Sequence, residues 1–369
     1  EVKSTMRPVD RVVAALYHEE PDMVPLAEEF MTWEAEKLFM GRLLRGVTDW
    51  LRRRLIVIRW WGNDIVTVGG NAPDMLSEVL VHEEGERGYI IRRKAYGSID
   101  YTRMKPHFYK VLHTPVRWPE DLDRIEPPDL EEFKPHVEAI AREVKFFKEK
   151  GYFVEAFHNG PFVTVWTYLR GLETFLKDIV RNPNFAKRLI DFAMKIQVEV
   201  TKMIIDEAGV DAVRIGGDLG TTTGLFFSPR AYREIFHPWF KSLVDTYHKK
   251  GVFVFRHCHG NINPILEYVV NEGFDSLDPL DPYDGIDLAE VKEKYGDKIT
   301  LRGGITGRIG TFSLEQLREH VASRFRIGAP GGGYILMCSG GIPHDMPKEH
   351  VYYYRELINK LRKYPRARL

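Results

Sequence analysis

The run FVFRHCHG at residues 253–260 passes from aromatic and β-branched residues straight into His257, Cys258 and His259. In a strand alternate side chains share a face, so His257 and His259 point one way and Cys258 the other. Two imidazoles on one face can grip a borderline cation such as Zn²⁺ when a third ligand arrives from elsewhere in the chain. The plain alternative is a solvated strand end whose histidines bond loop carbonyls. Other groups able to join such a site are Glu28 and Glu29 after MVPLA, Asp64 before IVTVGG, Asp218 after AVRIGG, and Cys338 after YILM.

These residues punctuate an alternation of short apolar segments and amphipathic ones. Val9, Val12, Val13 and Leu16 form one helical face over residues 8–17. A short strand is predicted at 23–30, a long helix at 33–61, and a strand from 65. Glycine-containing turns then predict a small antiparallel excursion of two or three strands near 76–105. After a proline- and acid-rich connector and a helix at 137–150, strands and helices alternate to the end. That alternation implies parallel strands with right-handed crossovers. About eight such strands predict a single (β/α)8 TIM barrel over residues 1–369, with an N-terminal helical extension. Chemistry in that architecture sits at the C-terminal ends of the strands. There the sequence puts Glu28, Asp64, His158, Asp218, His257, His259, Asp278 and Cys338.

Composition narrows the class. Of 369 residues 44% are hydrophobic and 29% charged, enough for a sizeable core. Lys plus Arg equal Asp plus Glu at 53 each, so charge gives no nucleic-acid footprint. Two widely spaced cysteines make no disulfide framework, and the first residues are charged and amphipathic. Together with the lack of a long apolar run, these features predict a cytoplasmic enzyme or binding protein without a membrane partner.

The segments DRVVAALYHEEPDMVPL, GNDIVTV, GPFVTVWTYLRG, GGDLGTTTGLFFSPRAYREIFHPWF, HCHGN, SLDPLDP, KEKYGDKITLRGGI and GGYILMCSGGIPHDMPKEHV follow one another along nearly the whole chain. In that order they resemble the uroporphyrinogen decarboxylase superfamily. The resemblance implies one barrel and two candidate chemistries: cofactor-free decarboxylation of porphyrinogen acetates, and zinc-dependent methyl transfer involving corrinoid proteins. In the decarboxylases a basic RQAGRY segment binds substrate carboxylates, whereas the matching place here reads EEFMTWEAEK. The decarboxylase tyrosine falls at Thr167 with Tyr168 one position late, the serine at Leu219, and the last histidine at Gly340. Asp64 and Asp218 match family aspartates, but aspartates without arginines cannot neutralise a polycarboxylate.

The methyltransferase branch has zinc ligands in a His-x-Cys pattern plus a late Cys. His257 matches the first ligand, His259 replaces the second, and Cys338 lies two positions before the third. The resemblance therefore implies zinc at His257, His259 and Cys338, with Asp218, Asp64 and Glu28 as catalytic candidates. His158, Asn159, Phe162, Trp166 and Phe227 are candidate substrate contacts, their aromatic rings suited to a flat methoxylated ring. The expected reaction is O-demethylation, with the methyl group passing to cobalamin on a separate corrinoid protein, because no D-x-H-x-x-G motif occurs. A decarboxylase or a non-catalytic ligand-binding barrel is the alternative, and the 76–105 excursion is expected to frame the partner's approach or a homodimer.

Overall fold

The computed structural model describes residues 5–364 except 86 and 105. Seven parallel strands form one curled sheet in sequence order: β1 (Ile65–Gly69), β2 (Phe153–Asn159), β3 (Ala212–Gly216), β4 (Phe253–His257), β5 (Ser276–Asp278), β6 (Thr300–Arg302) and β7 (Tyr334–Ile335). The predicted strand at 23–30 makes no continuous ladder. It fills the gap between β7 and β1 through isolated parallel bridges, Leu26 to Leu336 and Phe30 to Ile342. The Leu26 carbonyl also accepts the Asp64 amide at 2.8 Å. Pro25 explains the irregularity, since it has no N–H to give to a ladder. The count is therefore seven strands and one closing segment.

The period of two along each strand sorts the barrel interior into layers. Ile65, Phe153, Ala212, Phe255 and Ile335 form an apolar layer with Val12, Ala15 and Leu16 of the helix Pro8–Leu16. That helix plugs the N-terminal end of the barrel. Two residues further up, the inward positions are Thr67, Glu155, Arg214, His257, Asp278 and Arg302, a layer that is almost wholly polar. The other helices cover the outside through a second and larger apolar cluster.

Two expectations need correction. The helix predicted at 33–61 is two, Trp33–Leu44 and Trp50–Trp61. Gly46 between them turns left-handed at φ 76°, and Asp49 caps the second helix through the Arg52 amide. The excursion has four antiparallel strands, Glu78–Glu83, Tyr89–Arg93, Ile99–Met104 and His107–His113, and so runs past residue 105. No helix among the described residues is long and apolar enough to cross a membrane.

Asp64 sits before β1, at the opposite rim from the strand ends where it was expected. Its carboxylate is paired with Arg11 and Arg362 and accepts the Leu26 amide at 2.9 Å. It thus clamps the plugging helix, the closing segment and the end of the helix Lys348–Leu361. Removing one partner from a buried ion cluster leaves charges without compensation. Asp64→Ala is expected to lower the unfolding free energy by about 3–5 kcal/mol, read from urea midpoints; a loss near zero would show that the clamp holds nothing.

Candidate active site

The polar layer is a chain of paired charges. Arg302 binds Glu155 with both terminal nitrogens, at 2.7 and 3.0 Å, and Thr67 donates to the same carboxylate at 2.8 Å. Arg214 lies 3.9 Å from Glu155 and makes a two-pronged pair with Asp278, one prong at 3.0 Å. Burial would raise the Glu155 and Asp278 pKa values, but the arginines outweigh it and hold both carboxylates below their ordinary range.

His257 hangs from this chain. Its Nδ1 is 2.6 Å from Asp278 Oδ1 and 2.9 Å from Arg214 Nη2. A nitrogen donating to the carboxylate cannot also accept from the guanidinium, and the shorter contact to the anion decides. Nδ1 therefore carries the proton, and Nε2 keeps its lone pair. Burial, with Arg214 beside it, depresses the His257 pKa despite Asp278, so the ring is neutral. The His259 ring stands 5.0 Å away, centroid to centroid, and nearly perpendicular. Its pKa is shifted upward: burial opposes the charge, but the Asp284 hydrogen bond and Asp218 prevail. Asp218 accepts the His259 amide at 3.0 Å. Below them Arg256, which the sequence reading passed over, pins the backbone by donating to the carbonyls of Ile215, His257 and Gly217.

A pocket of about 310 Å³ opens beside His257, walled by Phe157, Asn159, Trp166, Asp218 and Phe226. Gly216 makes room for the Phe157 ring of that wall, because a Cβ there would lie 2.4 Å from it. Asn159, Trp166 and Asp218 thus stand where the sequence placed them, together with His257.

Other candidates are elsewhere. His158 faces outward against Tyr247, whose hydroxyl is 3.2 Å from Nε2, and burial lowers its pKa to about 4. Phe162 packs among Phe175, Phe227 and Phe236, and Phe227 belongs to that same buried stack. Cys338 lies on the outward side with Leu336, while Met337 faces the interior. Its thiol meets the Thr306 carbonyl at 3.8 Å, and burial raises its pKa. Cys258 is likewise outward, its thiol pushed up to about 12 by burial. Glu28 is sealed between the Cys338 amide and the Tyr354 hydroxyl, at 3.1 and 2.6 Å. Zinc therefore finds two fitting donors in His257 and His259, while Cys338 is turned away. Among the described residues no group of three His, Cys, Asp or Glu side chains stands close enough to hold a metal.

The polar chain was missed because each member reads as one charge inside an apolar strand: VEAF, AVRIG and TLRG. That was itself the signal, since a charge in a strand buried on both faces must be paired.

A curled parallel sheet whose strands deliver polar groups to one open end is the architecture of barrel enzymes. The sequence profile of the uroporphyrinogen decarboxylase (URO-D) family matches residues 100–361, and the chain belongs to that family. Uroporphyrinogen decarboxylase of Vibrio cholerae is 23% identical over 267 residues, 69% of this chain and 72% of the relative. That of Aliivibrio salmonicida is 22% identical over 263 residues, 68% of this chain and 70% of the relative. Among solved structures, a methyltransferase from Methanosarcina mazei matches with a TM-score of 0.70 and 17% identity, over 96% of this chain and 99% of that one. At that identity the match shows a shared fold.

Glu28 yields a pH test. Burial raises its pKa from 4.5 to about 8, against the bonds from Tyr354 and Cys338. The unfolded chain ionises Glu28 above its ordinary value while the folded one does not. Its contribution to stability is therefore full below pH 4.5 and is lost as pH rises towards about 8. Glu28→Gln is expected to lose less thermal stability than the parent between pH 5 and pH 8; parallel melting curves would refute the buried, protonated Glu28.

Proposed function

We propose that this protein is a methyltransferase that moves a methyl group from a methoxylated aromatic compound to the cobalt of a corrinoid on a separate protein, with zinc held at His257 and His259. The observation that carries this reading is the Asp278 bond to His257 Nδ1, which leaves the Nε2 lone pair beside His259 and the aromatic pocket. A carboxylate that fixes the tautomer of a histidine ligand is the usual support of a metal site. Asp218 lines the same pocket and accepts the His259 amide, and it is the proposed third donor after a side-chain movement, since the three groups do not stand close enough as they are. A donor set of imidazole and carboxylate suits an oxygen substrate better than a thiol.

When bound, zinc would supply Lewis-acid polarisation of the ether oxygen. The chain's own residues do the rest. Phe157, Trp166 and Phe226 offer faces and edges for a flat ring, and Asn159 offers an amide for orientation. Asp278 holds the His257 ring, and Arg214 keeps Asp278 ionised. The Methanosarcina protein's description as a methyltransferase supports the reaction class. A cytoplasmic setting accords with it.

The relatives named as decarboxylases support a second reading. It requires cationic groups for a polycarboxylate, yet Arg214 and Arg302 are spent on Asp278 and Glu155. We therefore expect no coproporphyrinogen from uroporphyrinogen in an anaerobic assay. Methylcobalamin is expected from reduced cobalamin and methoxybenzoates with zinc-loaded protein, and not from methylamines or methyl thiols. Transfer from none of these donors, with free cobalamin or corrinoid proteins, overturns the reading. Elemental analysis of untagged protein should show zinc lost in His257→Ala/His259→Ala, reduced in Asp218→Ala, and unchanged in Cys338→Ala.

A further inference from the structure

A second cavity, of about 300 Å³, lies across the barrel from His257, between the closing segment, β1 and β6. Glu29, Phe30, Trp33, Trp50, Arg54 and Arg302 are among its walls.

Both arginines already have anions. Arg54 is paired with Glu143 and donates to the Thr67 carbonyl at 2.6 Å, while Arg302 is paired with Glu155 at 2.7 Å. Glu36 is matched by Arg53 at 2.7 Å. Glu28 keeps its proton at neutral pH. Among the described residues Glu29 has no ion-pair partner, and its side chain is exposed to the cavity. The uncompensated charge of the walls is therefore negative.

Three aromatic residues, Phe30, Trp33 and Trp50, share those walls. Lys37 lies 5.8 Å from the Trp33 ring and Arg54 5.9 Å from the Trp50 ring. Both are at the outer limit for a cation over a ring, about 6 Å, so the indoles keep capacity for a closer one. Arg302 adds an independent sign of a ligand. It is 1% exposed, it lines the cavity, and its Nε–H has no partner in the described structure. A buried guanidinium donor without a partner calls for an acceptor. The volume is at the small end of ligand cavities, which excludes a tetrapyrrole.

We propose that this cavity binds a small alkylated ammonium compound bearing an oxygen acceptor, with the cation between Glu29 and the rings of Phe30, Trp33 and Trp50 and the oxygen on Arg302 Nε–H. Carboxylate and aromatic faces together recognise a cation that sheds its hydration easily. A free anion is repelled by Glu29, and a bare metal ion finds one free carboxylate among rings that offer no lone pairs. The proposal stands apart from methyl transfer, because binding is read without turnover.

The test is calorimetry on the full, chelator-treated chain with choline, glycine betaine, tetramethylammonium and 3,3-dimethylbutan-1-ol, the neutral isostere of choline. Choline or betaine is expected to bind at least about tenfold more tightly than the isostere. Tetramethylammonium, lacking the oxygen, should bind more weakly than choline. Glu29→Gln should weaken choline about tenfold and leave the isostere unchanged. Trp33→Leu should weaken the cations further, with circular dichroism confirming that both variants are folded. No binding of choline or betaine at millimolar concentration, an isostere that binds equally well, or choline binding indifferent to Glu29→Gln overturns the proposal. Equal binding of choline and tetramethylammonium overturns the role given to Arg302.

Discussion

The ion chain inside the barrel, from Arg302 through Glu155 and Arg214 to Asp278, is the constraint on which the rest of the site depends. Charges this deep are tolerable only with partners at hydrogen-bond distance, so each member dictates the side-chain position of the next. The strands must keep the register that aligns Thr67 with Glu155, Phe157 with Arg214, and His257 with Asp278. A slip of one residue would turn every charge into the apolar outer layer. His257 inherits its orientation from this chain, and the mouth inherits its geometry from His257.

The same chain supports the proposal that this protein does not share the decarboxylase chemistry of its named relatives. Inward arginines need not be receptors for substrate carboxylates, and here the barrel's own acids have claimed them. The closing segment and the residues after it bring Glu29, Phe30 and Trp33 to the wall of the second cavity. A family profile records the shared scaffold; the pairing of individual charges decides which ligands that scaffold can accept.

Much of the barrel could be read from the sequence because strand and helix periods alternate cleanly after residue 150, and the structure bears out those elements. The closing segment was harder, since its apolar pattern reads as a strand while Pro25 forbids a full ladder. Gly46 broke a helix that propensity alone would have continued. At the site, His257 ends its strand and His259 lies beyond it, so the 5.0 Å between their ring centroids is set by the loop rather than by the strand period. Cys338 and His158 were misplaced because their direction depends on where each strand ends and which side the next residue takes, while Phe162 lies in the helix Pro161–Val165 and turns into the buried aromatic stack. For Cys338 that parity is set by Met337 entering the interior layer. The charges Glu155, Arg214 and Arg302 were visible as oddities in apolar strands, but their mutual contact is a product of strand order.

The clamp at Asp64 has a consequence for how the chain comes to be folded. Its two arginine partners are separated from it by 53 and 298 positions. Arg362 also donates to the carbonyls of Val24 and Gly62, so the closing segment and the entry to β1 are fastened by a residue some three hundred positions further along the chain. Contacts of this range cost loop-closure entropy before they return anything, so the barrel cannot close around β1 until distant parts of the chain have met.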